Sequence, residues 1–289
     1  PDQHQQALQD ARGPPRDRRS VTLTISPLVG LPEVEQDADL AVLVAQSHEL
    51  EDGDVVVLAQ KVVSKAEARV VRLDELEPSE RAREVAGDGG DARRVEAILR
   101  ESVRIVRTRG ALVIAETRHG FVCASAGVDA SNAPQRDVLV LLPLDPDASA
   151  RALRSRLREL TGRTVAVIVS DSFGRPWRQG TTDVAIGVAG LAPLLDLRGT
   201  RDAAGYELRS TMVAVADELA GAAELVMGKT RGIPGAVIRG QVMDRLLEDA
   251  FVMPRAGDGQ GWGGPALNVY EEGDQLTVEA VDAGRDGGV

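Results

Sequence analysis

Two short segments of the sequence combine a carboxylate with small hydroxyl or amide side chains. Residues 129–132 read Asp-Ala-Ser-Asn, and residues 171–180 read Asp-Ser-Phe-Gly-Arg-Pro-Trp-Arg-Gln-Gly. Magnesium and manganese ions prefer oxygen ligands from carboxylates, with substrate phosphates and water in the remaining positions. We therefore expect Asp129 and Asp171 to share one divalent cation. The alternative is that both are turn-forming aspartates, which stabilise loops without binding a ligand.

Other polar side chains fit a phosphate-bearing substrate. Arg175 and Arg178 present planar forks of donors that suit phosphate oxygens. Lys65 follows a predicted buried strand, where its ammonium group would neutralise a phosphate, although a solvated surface lysine is the simpler alternative. Ser172 is a candidate second oxygen ligand or a helix cap, and Asn132 is a candidate nucleotide contact or a structural loop residue. These residues together predict metal-assisted chemistry on a phosphate compound.

Several common catalytic motifs are absent. Residues 228–232, Gly-Lys-Thr-Arg-Gly, resemble part of a phosphate cradle, but the G-x-x-x-x-G-K-[ST] pattern of a P-loop does not occur. The three histidines lack the H-E-x-x-H spacing, and no G-x-S-x-G segment is present. A zinc hydrolase and a serine acyltransferase are therefore unsupported. The single cysteine, Cys123, excludes an internal disulfide and is expected to be a small buried side chain.

The net charge and the aromatic content of the chain argue against several classes of protein. The 289 residues carry a formal net charge of -11, which argues against a general nucleic-acid or anionic-membrane binder. Aromatic residues make up only 2%, so platforms for base stacking are not expected. No run of 18 apolar residues occurs, and the amino terminus is polar. We expect a soluble, cytoplasmic protein that binds neither nucleic acid nor membrane.

The chain divides into three regions. Residues 1–20 are rich in Gln, Asp, Arg and Pro without apolar periodicity, which predicts a flexible tail. Residues 21–243 are expected to form the functional domain, and residues 244–289 a glycine-rich extension of uncertain structure. Within the domain, apolar patterning predicts strands at 21–26, 55–58, 112–115, 164–169 and 236–239.

Further local patterns place the candidate site residues. Residues 60–67 are expected to form a loop after the strand at 55–58, and Asp171 is expected to follow the end of the strand at 164–169. Helices are predicted after the cap Asp91, after the cap Asp147 up to Gly162, and from Thr211 to Gly228.

Five stretches, in this order, resemble the coenzyme F420 γ-glutamyl ligase family. They are residues 27–32 (Pro-Leu-Val-Gly-Leu-Pro), 51–54 with 63–67 (Glu-Asp-Gly-Asp and Val-Ser-Lys-Ala-Glu), 120–124 with 126–132, 142–147, and 171–180 followed by 184–187. The resemblance extends from about residue 21 to residue 240. Colinear agreement over that length is far more specific than any single stretch.

The resemblance implies an activity and a fold. It implies a GTP-dependent ligase that joins L-glutamate to the deazaflavin precursor of coenzyme F420, with further γ-linked glutamates as an extension. The terminal carboxylate would be activated as an acyl phosphate with two Mg²⁺ or Mn²⁺ ions, and K⁺ is a further candidate cofactor. The implied fold is α+β, with mixed and antiparallel sheets and flanking helices in an intertwined homodimer. Patterning alone suggests only a mixed α/β protein.

The resemblance also implies roles for individual residues. Asp129 and Asp171 are expected to ligate one metal and Ser172 a second. We expect Asp171, Arg175 and Arg178 to be the catalytic residues, the two arginines because their guanidinium groups suit phosphate oxygens. The expected GTP contacts are Leu28, Val29, Gly30, Leu31, Gln60, Lys61, Lys65, Asn132, Met227, Gly228, Lys229, Thr230, Arg231 and Gly232.

Two residues depart from the family pattern, and one of them, Lys229, leaves an alternative function open. Lys229 stands where the family can supply an acidic or amide metal ligand, and Ala68 stands where the family usually has glycine. A protonated lysine cannot ligate a metal, so Lys229 would replace part of its charge or the metal would be held differently. The alternative function is a metal-dependent nucleotide-binding or nucleotide-hydrolysing protein of the same fold, without ligase activity.

Overall fold

The computed structural model describes residues 23–110, 112–130, 137–176, 178–240, 267–272 and 275–280. The helices of this part are α1 (Leu40–Ser47), α2 (Gln60–Ala66), α3 (Glu80–Ala86), α4 (Ala92–Glu101), α5 (Pro146–Thr161) and α6 (Val215–Met227). Its strands are β1 (Thr24–Pro27), β2 (Val55–Ala59), β3 (Val70–Arg72), β4 (Ser102–Arg109), β5 (Leu112–Thr117), β6 (Val122–Ala124), β7 (Val138–Val140), β8 (Ala166–Gly174), β9 (Thr181–Ala189), β10 (Leu195–Asp196), β11 (Met212–Val213), β12 (Gly235–Arg239), β13 (Leu267–Glu272) and β14 (Gln275–Ala280). The architecture is α+β.

The central sheet has five strands in the order β1-β12-β2-β8-β9. β2 and β8 run parallel, with Val55 opposite Ala166 and Ala59 opposite Ser170, and the other neighbouring strands are antiparallel. The first four residues of β2 and the first five of β8 are buried, because helices cover both faces of the sheet. This mixed sheet agrees with the fold that the resemblance implied.

Alternate residues of the central sheet enter two separate cores. Val167 and Val169 pack with α1 and α5 on one face, whereas Ala166 and Ile168 pack with α6 on the other. Side chains alternate between faces along a strand. Ser170 and Ser172 therefore lie on the α6 face, and Asp171 lies on the opposite face.

Four segments converge at one end of the central sheet. β2 ends there and leads directly into α2, while β1 ends and β12 begins at the same edge, with Pro27 opposite Ala236. β8 continues past the end of β2 as a hairpin with β9, in which Gly174 pairs with Thr181. A parallel neighbour that ends early leaves a concave space beside the longer strand, and the candidate site lies in this space.

A smaller lobe surrounds a third core. β4, β5 and β6 form an antiparallel sheet, and β3 pairs with β7. Ile98 of α4 packs there with Val113 of β5 and Leu139 of β7. Asp129 is joined to this lobe through its backbone, because its amide and carbonyl groups each bond to Val140 of β7, at 3.0 and 2.8 Å.

Helix ends follow the sequence signals in part. Asp91 caps α4 by accepting from the amide of Arg93 at 3.0 Å, and Gly162 ends α5 in the left-handed conformation, so both predictions are confirmed. The prediction that Asp147 caps α5 is wrong. Asp145 accepts from the amide of Ala148 at 2.9 Å, with Pro146 in the first helical turn. Asp147 instead accepts from the amide of Val188 at 2.8 Å and fastens α5 to β9.

Three other local predictions are wrong. Residues 60–66 form helix α2 rather than a loop, although Ala59 offers no side-chain cap. Burial of Val63, Ser64 and Lys65 stabilises this short helix more than its intrinsic helix propensity does. The strand at 164–169 does not end before Asp171, because pairing with β9 carries it to Gly174. The helix predicted from Thr211 begins at Val215, since Met212 pairs with Asp196 in a two-stranded sheet.

Gly187 of β9 lies where the backbone of α5 comes closest to the sheet. A Cβ atom at this position would collide with the carbonyl group of Pro146. We expect Gly187→Ala to lower the free energy of unfolding by about 1–3 kcal/mol, because the helix must move away from the sheet. The measurement is denaturant unfolding of the full chain.

Gly221 of α6 offers a matched control for that substitution. A Cβ atom there would make only ordinary contacts, the nearest at 3.5 Å from the hydroxyl of Thr182. Alanine also favours a helix over glycine by about 1 kcal/mol. Gly221→Ala should leave stability unchanged or raise it, and equal losses in the two variants would contradict the packing argument.

Some sequence-based expectations fall outside the described residues. These are the tail at residues 1–20, Asn132, and the C-terminal extension apart from β13 and β14, which pair with each other in antiparallel register. The expected homodimer stays a prediction. None of the helices in the described part combines the length and apolar character needed to cross a lipid bilayer.

Candidate functional site

A cavity of about 480 Å³ lies at the end of the central sheet where β2 stops. Its wall is formed by residues 31–34 after β1, residues 59–62 and Lys65 at α2, residues 170–172 of β8, and Asp183 of β9. The remaining wall comes from Glu224 and Met227 of α6 and from the loop before β12, with Gly228, Lys229 and residues 232–234. Segments distant in sequence thus enclose one space of a size typical for small-molecule sites.

The cavity brings together eight of the predicted nucleotide contacts. They are Leu31, Gln60, Lys61, Lys65, Met227, Gly228, Lys229 and Gly232. Five others lie outside its wall: Leu28, which is fully buried in the core, and Val29, Gly30, Thr230 and Arg231, which flank the lining segments. The roles of all these residues in nucleotide binding stay predictions.

All three lysines of the chain line this cavity. The sequence has 34 basic residues, and only Lys61, Lys65 and Lys229 among them are lysines. A lysine ammonium is a compact charge on a flexible stem and is a common phosphate-binding group. In a chain with a net charge of -11, these three ammonium groups are the cationic part of a wall that also contains the carboxylates of Glu33, Asp171, Asp183 and Glu224. The ammonium groups are available to contact the anionic part of a ligand.

Lys65 is buried rather than solvated. Its side chain is only 9% exposed, and its Nζ atom lies 2.5 Å from Oε1 of Glu33, whose side chain is 70% exposed. The alternative of a surface lysine is therefore wrong. Because Glu33 is the more exposed partner and both residues line the cavity, an anionic ligand would compete with Glu33 for Lys65.

Gln60 presents an unsatisfied donor near the cavity. Its Oε1 accepts from the hydroxyl of Ser64 at 2.8 Å, and the residue is 1% exposed. Within the described part of the chain, the buried Nε2 of Gln60 has no hydrogen-bond partner. Buried polar groups without partners are uncommon and destabilising, so a ligand acceptor near Gln60 would satisfy this amide.

On one face of β8, Asp171 lies near a second carboxylate and a lysine. Lys61 Nζ is 2.7 Å from Oδ2 of Asp129. Burial raises the pKa of Asp171 to about 7, and the negative charges of Asp183 and Asp129 add to that rise, while the backbone hydrogen bond from Ser172 and the Lys61 ammonium oppose it. Asp171 therefore lies in a region that is poor in solvent and rich in negative charge.

On the other face of β8, Ser172 contacts the carboxylate of Asp183. Its hydroxyl donates to Oδ1 of Asp183 at 2.6 Å, and the hydroxyl of Ser170 donates to Oδ2 at 3.2 Å. Asp183 and Glu224 both line the cavity, and burial followed by the charge of Asp183 raises the pKa of Glu224. The alternation along β8 thus separates the oxygen donors into two groups.

The two arginines of the segment at 171–180 lie away from this cavity. Arg175 and Arg178 are exposed in the connection between β8 and β9, and neither is part of the cavity wall. Arg175 donates from Nη2 to the carbonyl of Gln179. Their predicted phosphate contacts stay predictions that this geometry does not support.

Comparison with known proteins gives a consistent result. A family model described as F420-0:gamma-glutamyl ligase matches residues 29–240. The chain belongs to this family. A coenzyme F420:L-glutamate ligase of Methanopyrus kandleri is 53% identical over 221 residues, which cover 76% of this chain and 87% of the relative. A second, from Methanothermobacter thermautotrophicus, is 47% identical over 232 residues, covering 78% of this chain and 92% of the relative.

The donor atoms at the site of this member of the F420-0:gamma-glutamyl ligase family can be compared with those that a metal ion requires. Among the described residues, no three acidic, histidine or cysteine side chains are gathered closely enough to hold a metal by themselves. The donors at the site nevertheless fit a hard cation, since all are oxygens. The Lys61 ammonium already offsets the charges of Asp129 and Asp171, as a cation would. Phosphate and water would have to complete any coordination.

The sequence analysis missed Asp183 and Glu224. Asp183 lies directly opposite Ser172 in the β8–β9 hairpin, eleven positions further along the chain. A hairpin predicted from the alternating residues 181–189 would have placed the two side chains on one face. Glu224 carried no such signal, because its position at the cavity depends on how α6 docks against the sheet.

Proposed function

We propose that this protein is a GTP-dependent coenzyme F420:L-glutamate ligase. It forms an amide bond between L-glutamate and the deazaflavin precursor of coenzyme F420, with conversion of GTP to GDP and phosphate. The observation that carries the proposal is the cavity that gathers every lysine of the chain beside Asp171 and Ser172. The relatives of 53% and 47% identity, both named as this ligase, support the choice of substrates.

The proposed chemistry has two steps that balance. The terminal carboxylate of the precursor attacks the γ-phosphoryl group of GTP, which forms an acyl phosphate and releases GDP. The amine of L-glutamate then attacks the acyl carbon, so that phosphate leaves, the amide forms and one proton is lost. Activation is needed because a free carboxylate carries no adequate leaving group.

The lysines of the cavity would hold the phosphates. Lys65 and Lys61 lie on α2 and Lys229 follows α6, so that positive charge approaches the cavity from two sides. Such preorganised charge stabilises the negative charge that develops on transferring oxygens. Asp129, Asp171 and Ser172 are the residues that we propose to hold Mg²⁺ or Mn²⁺. A bound divalent cation would neutralise phosphate charge that otherwise repels the attacking carboxylate.

Substitution of Lys65 tests the phosphate contact. We expect Lys65→Ala to weaken GTP binding about tenfold or more, because a charge-assisted contact of about 1.5–3 kcal/mol is lost. Glu33→Gln should strengthen GTP binding, since it removes the carboxylate that competes for Lys65. Calorimetric titration with GTP measures both effects.

Glu35→Gln is the matched control for the change at Glu33, since Glu35 is exposed nearby and lies outside the cavity wall. It should leave the affinity for GTP unchanged. Unchanged affinity in Lys65→Ala would contradict the assignment of Lys65 to the phosphates.

The ligase proposal is tested by product mass. Purified protein is incubated with the deazaflavin precursor, L-glutamate, GTP and Mn²⁺, and product mass and GDP are followed together. We expect the precursor to gain one or more glutamate residues, with GDP released in equal number and only when glutamate is present. GDP release without added mass would favour the nucleotide-hydrolysing alternative. Replacing GTP by ATP in a parallel reaction tests the nucleotide preference.

A further inference from the structure

Asp183 is a buried carboxylate that, within the part of the chain that the structure describes, accepts side-chain hydrogen bonds from two serines of β8. It is 5% exposed, and its two oxygens accept separately from the hydroxyls of Ser172 and Ser170, at 2.6 and 3.2 Å. Ser172 and Asp183 are directly opposite each other in the β8–β9 ladder. Residues paired in this way share one face of the sheet with their Cβ atoms close together, so the contact is set by the strand register.

The direction of the hydrogen bond decides what the Ser172 hydroxyl can do. A serine hydroxyl has one proton to donate and two lone pairs to accept with, whereas an ionised carboxylate only accepts. The proton of Ser172 is therefore directed at Asp183. Its lone pairs remain for the cavity, which both residues line. In this orientation Ser172 can face a cation but cannot donate to a phosphate oxygen.

We propose that Asp183 is a positioning residue that holds the Ser172 hydroxyl as an acceptor toward a divalent cation in the cavity. The inference rests on the proposed function, because that function assigns Ser172 to the metal. Asp183 acts through Ser172 and does not itself touch the metal. Partners of this kind, one step removed from the metal, commonly change metal affinity by about 10–100-fold when they are removed.

The contact between Ser170 and Asp183 provides a way to distinguish positioning of Ser172 from simple packing of the Asp183 side chain. Ser170 donates to the other oxygen of Asp183 and is 1% exposed, so it helps to hold the carboxylate in place. Its longer bond, at 3.2 Å, leaves Asp183 anchored mainly by Ser172. Loss of the Ser170 hydroxyl should therefore affect metal binding far less than loss of the Asp183 carboxylate.

The experiment titrates Mn²⁺ into the metal-free full chain and follows the electron paramagnetic resonance signal of unbound Mn²⁺. The component of binding that is lost in Ser172→Ala defines the contribution of the serine. Asp183→Asn should weaken this component about tenfold or more, because the amide can donate to Ser172 and turn its proton toward the cavity. Ser170→Ala should stay within about threefold of the wild type, and Ser172→Thr, which keeps the hydroxyl, should retain binding.

A double variant distinguishes positioning from a direct effect of charge. In the Ser172→Ala background, Asp183→Asn should change Mn²⁺ affinity by less than about twofold, because contacting residues that act through one another are not additive. Thermal unfolding checks that each variant folds. If Asp183→Asn does not fold, Asp183→Ser, which removes the carboxylate and adds no bulk, should weaken the same component.

Three outcomes would overturn the inference. They are wild-type Mn²⁺ binding in a folded Asp183 variant, an undiminished effect of Asp183→Asn in the Ser172→Ala background, or the absence of Ser172-dependent binding in the wild type. Each is read from Mn²⁺ binding alone. Product mass from the wild-type reaction reports separately on the ligase proposal, so failure of one does not imply failure of the other.

Discussion

Asp171→Asn is expected to lower glutamate-dependent turnover by about 10²–10³-fold or more, comparable to removing a preorganised charge-stabilising group from an active site. The side chain keeps its size and loses only its charge, so the fold should persist. Asp171 lines the cavity beside Ser172 and lies near Lys61 and Asp129. The divalent cation that we propose there would need an ionised carboxylate to offset its charge. Turnover is measured as GDP released together with glutamylated product.

The same substitution should stabilise the metal-free protein at alkaline pH. Because burial raises the pKa of Asp171 from 3.8 to about 7, the folded state holds this proton more tightly than the unfolded chain does. The stability contributed by the neutral carboxyl is fully present below about pH 4 and is lost as the pH rises through about 7. The melting temperature of Asp171→Asn should therefore exceed that of the wild type at pH 8, and the difference should shrink toward pH 4.

Asp196→Asn is the matched control for both measurements. Asp196 is an exposed aspartate whose pKa is lowered to about 2 by hydrogen bonds from Arg198. Its replacement should leave turnover unchanged and should not stabilise the protein at any pH. Near-normal turnover in folded Asp171→Asn would remove Asp171 from the reaction. An unchanged melting temperature at pH 8 would show that its burial in the free protein is not destabilising.

Arg239→Ala is expected to lower the free energy of unfolding by about 2–3 kcal/mol, less than for a fully buried ion pair because the Arg239 side chain is 36% exposed. Arg239 at the end of β12 forms a two-point contact with Asp54, from Nε and Nη2 to the two carboxylate oxygens, both at 2.7 Å. Asp54 is fully buried and accepts further from the amide of Glu51 at 2.8 Å. Removing the guanidinium leaves a buried charge without its main partner, at the point where β2 begins.

Arg163→Ala is the control for the loss of an arginine at the same end of the sheet. Arg163 contacts Asp52 at 3.6 Å, and both side chains are about half exposed, at 47% and 64%. Such a surface pair contributes about 0–1 kcal/mol. Denaturant unfolding should separate the two variants clearly. Adding Asp54→Asn to Arg239→Ala should recover part of the lost stability, because the unpaired charge is then removed; losses of equal size in both arginine variants would contradict this account.

Local sequence signals correctly predicted some helix ends at which a capping residue is present. Asp91 at the start of α4 and Gly162 at the end of α5 were predicted correctly, because cap chemistry depends on a few neighbouring residues. The burial of Cys123 was also predicted correctly. The prediction failed at α2, which lacks a cap and contains two adjacent valines. Its helical state depends on the core that Val63 enters, and a local window does not contain that information.

For the candidate site too, the sequence indicated some residues that line the cavity and others that do not. Resemblance along the chain identified ten residues that line the cavity, among them Gln60, Lys65 and Lys229. Residue chemistry also singled out Arg175 and Arg178, which lie in the hairpin connection and are not part of the cavity wall. Residue type and order indicate which segments matter. They do not reveal which side chain of a segment points inward, because that depends on strand register and on the face of the sheet.

By itself, the sequence determined the family, the net charge and the residue types available for phosphate and metal chemistry. Only the tertiary structure decided that Asp171 and Ser172, adjacent in the chain, lie on opposite faces of β8. It also brought Asp183 and Glu224 to the cavity and buried Lys65 against Glu33. The physical reason is that burial, pKa and hydrogen-bond direction arise from contacts between distant segments, which form only when the sheet and its helices pack together.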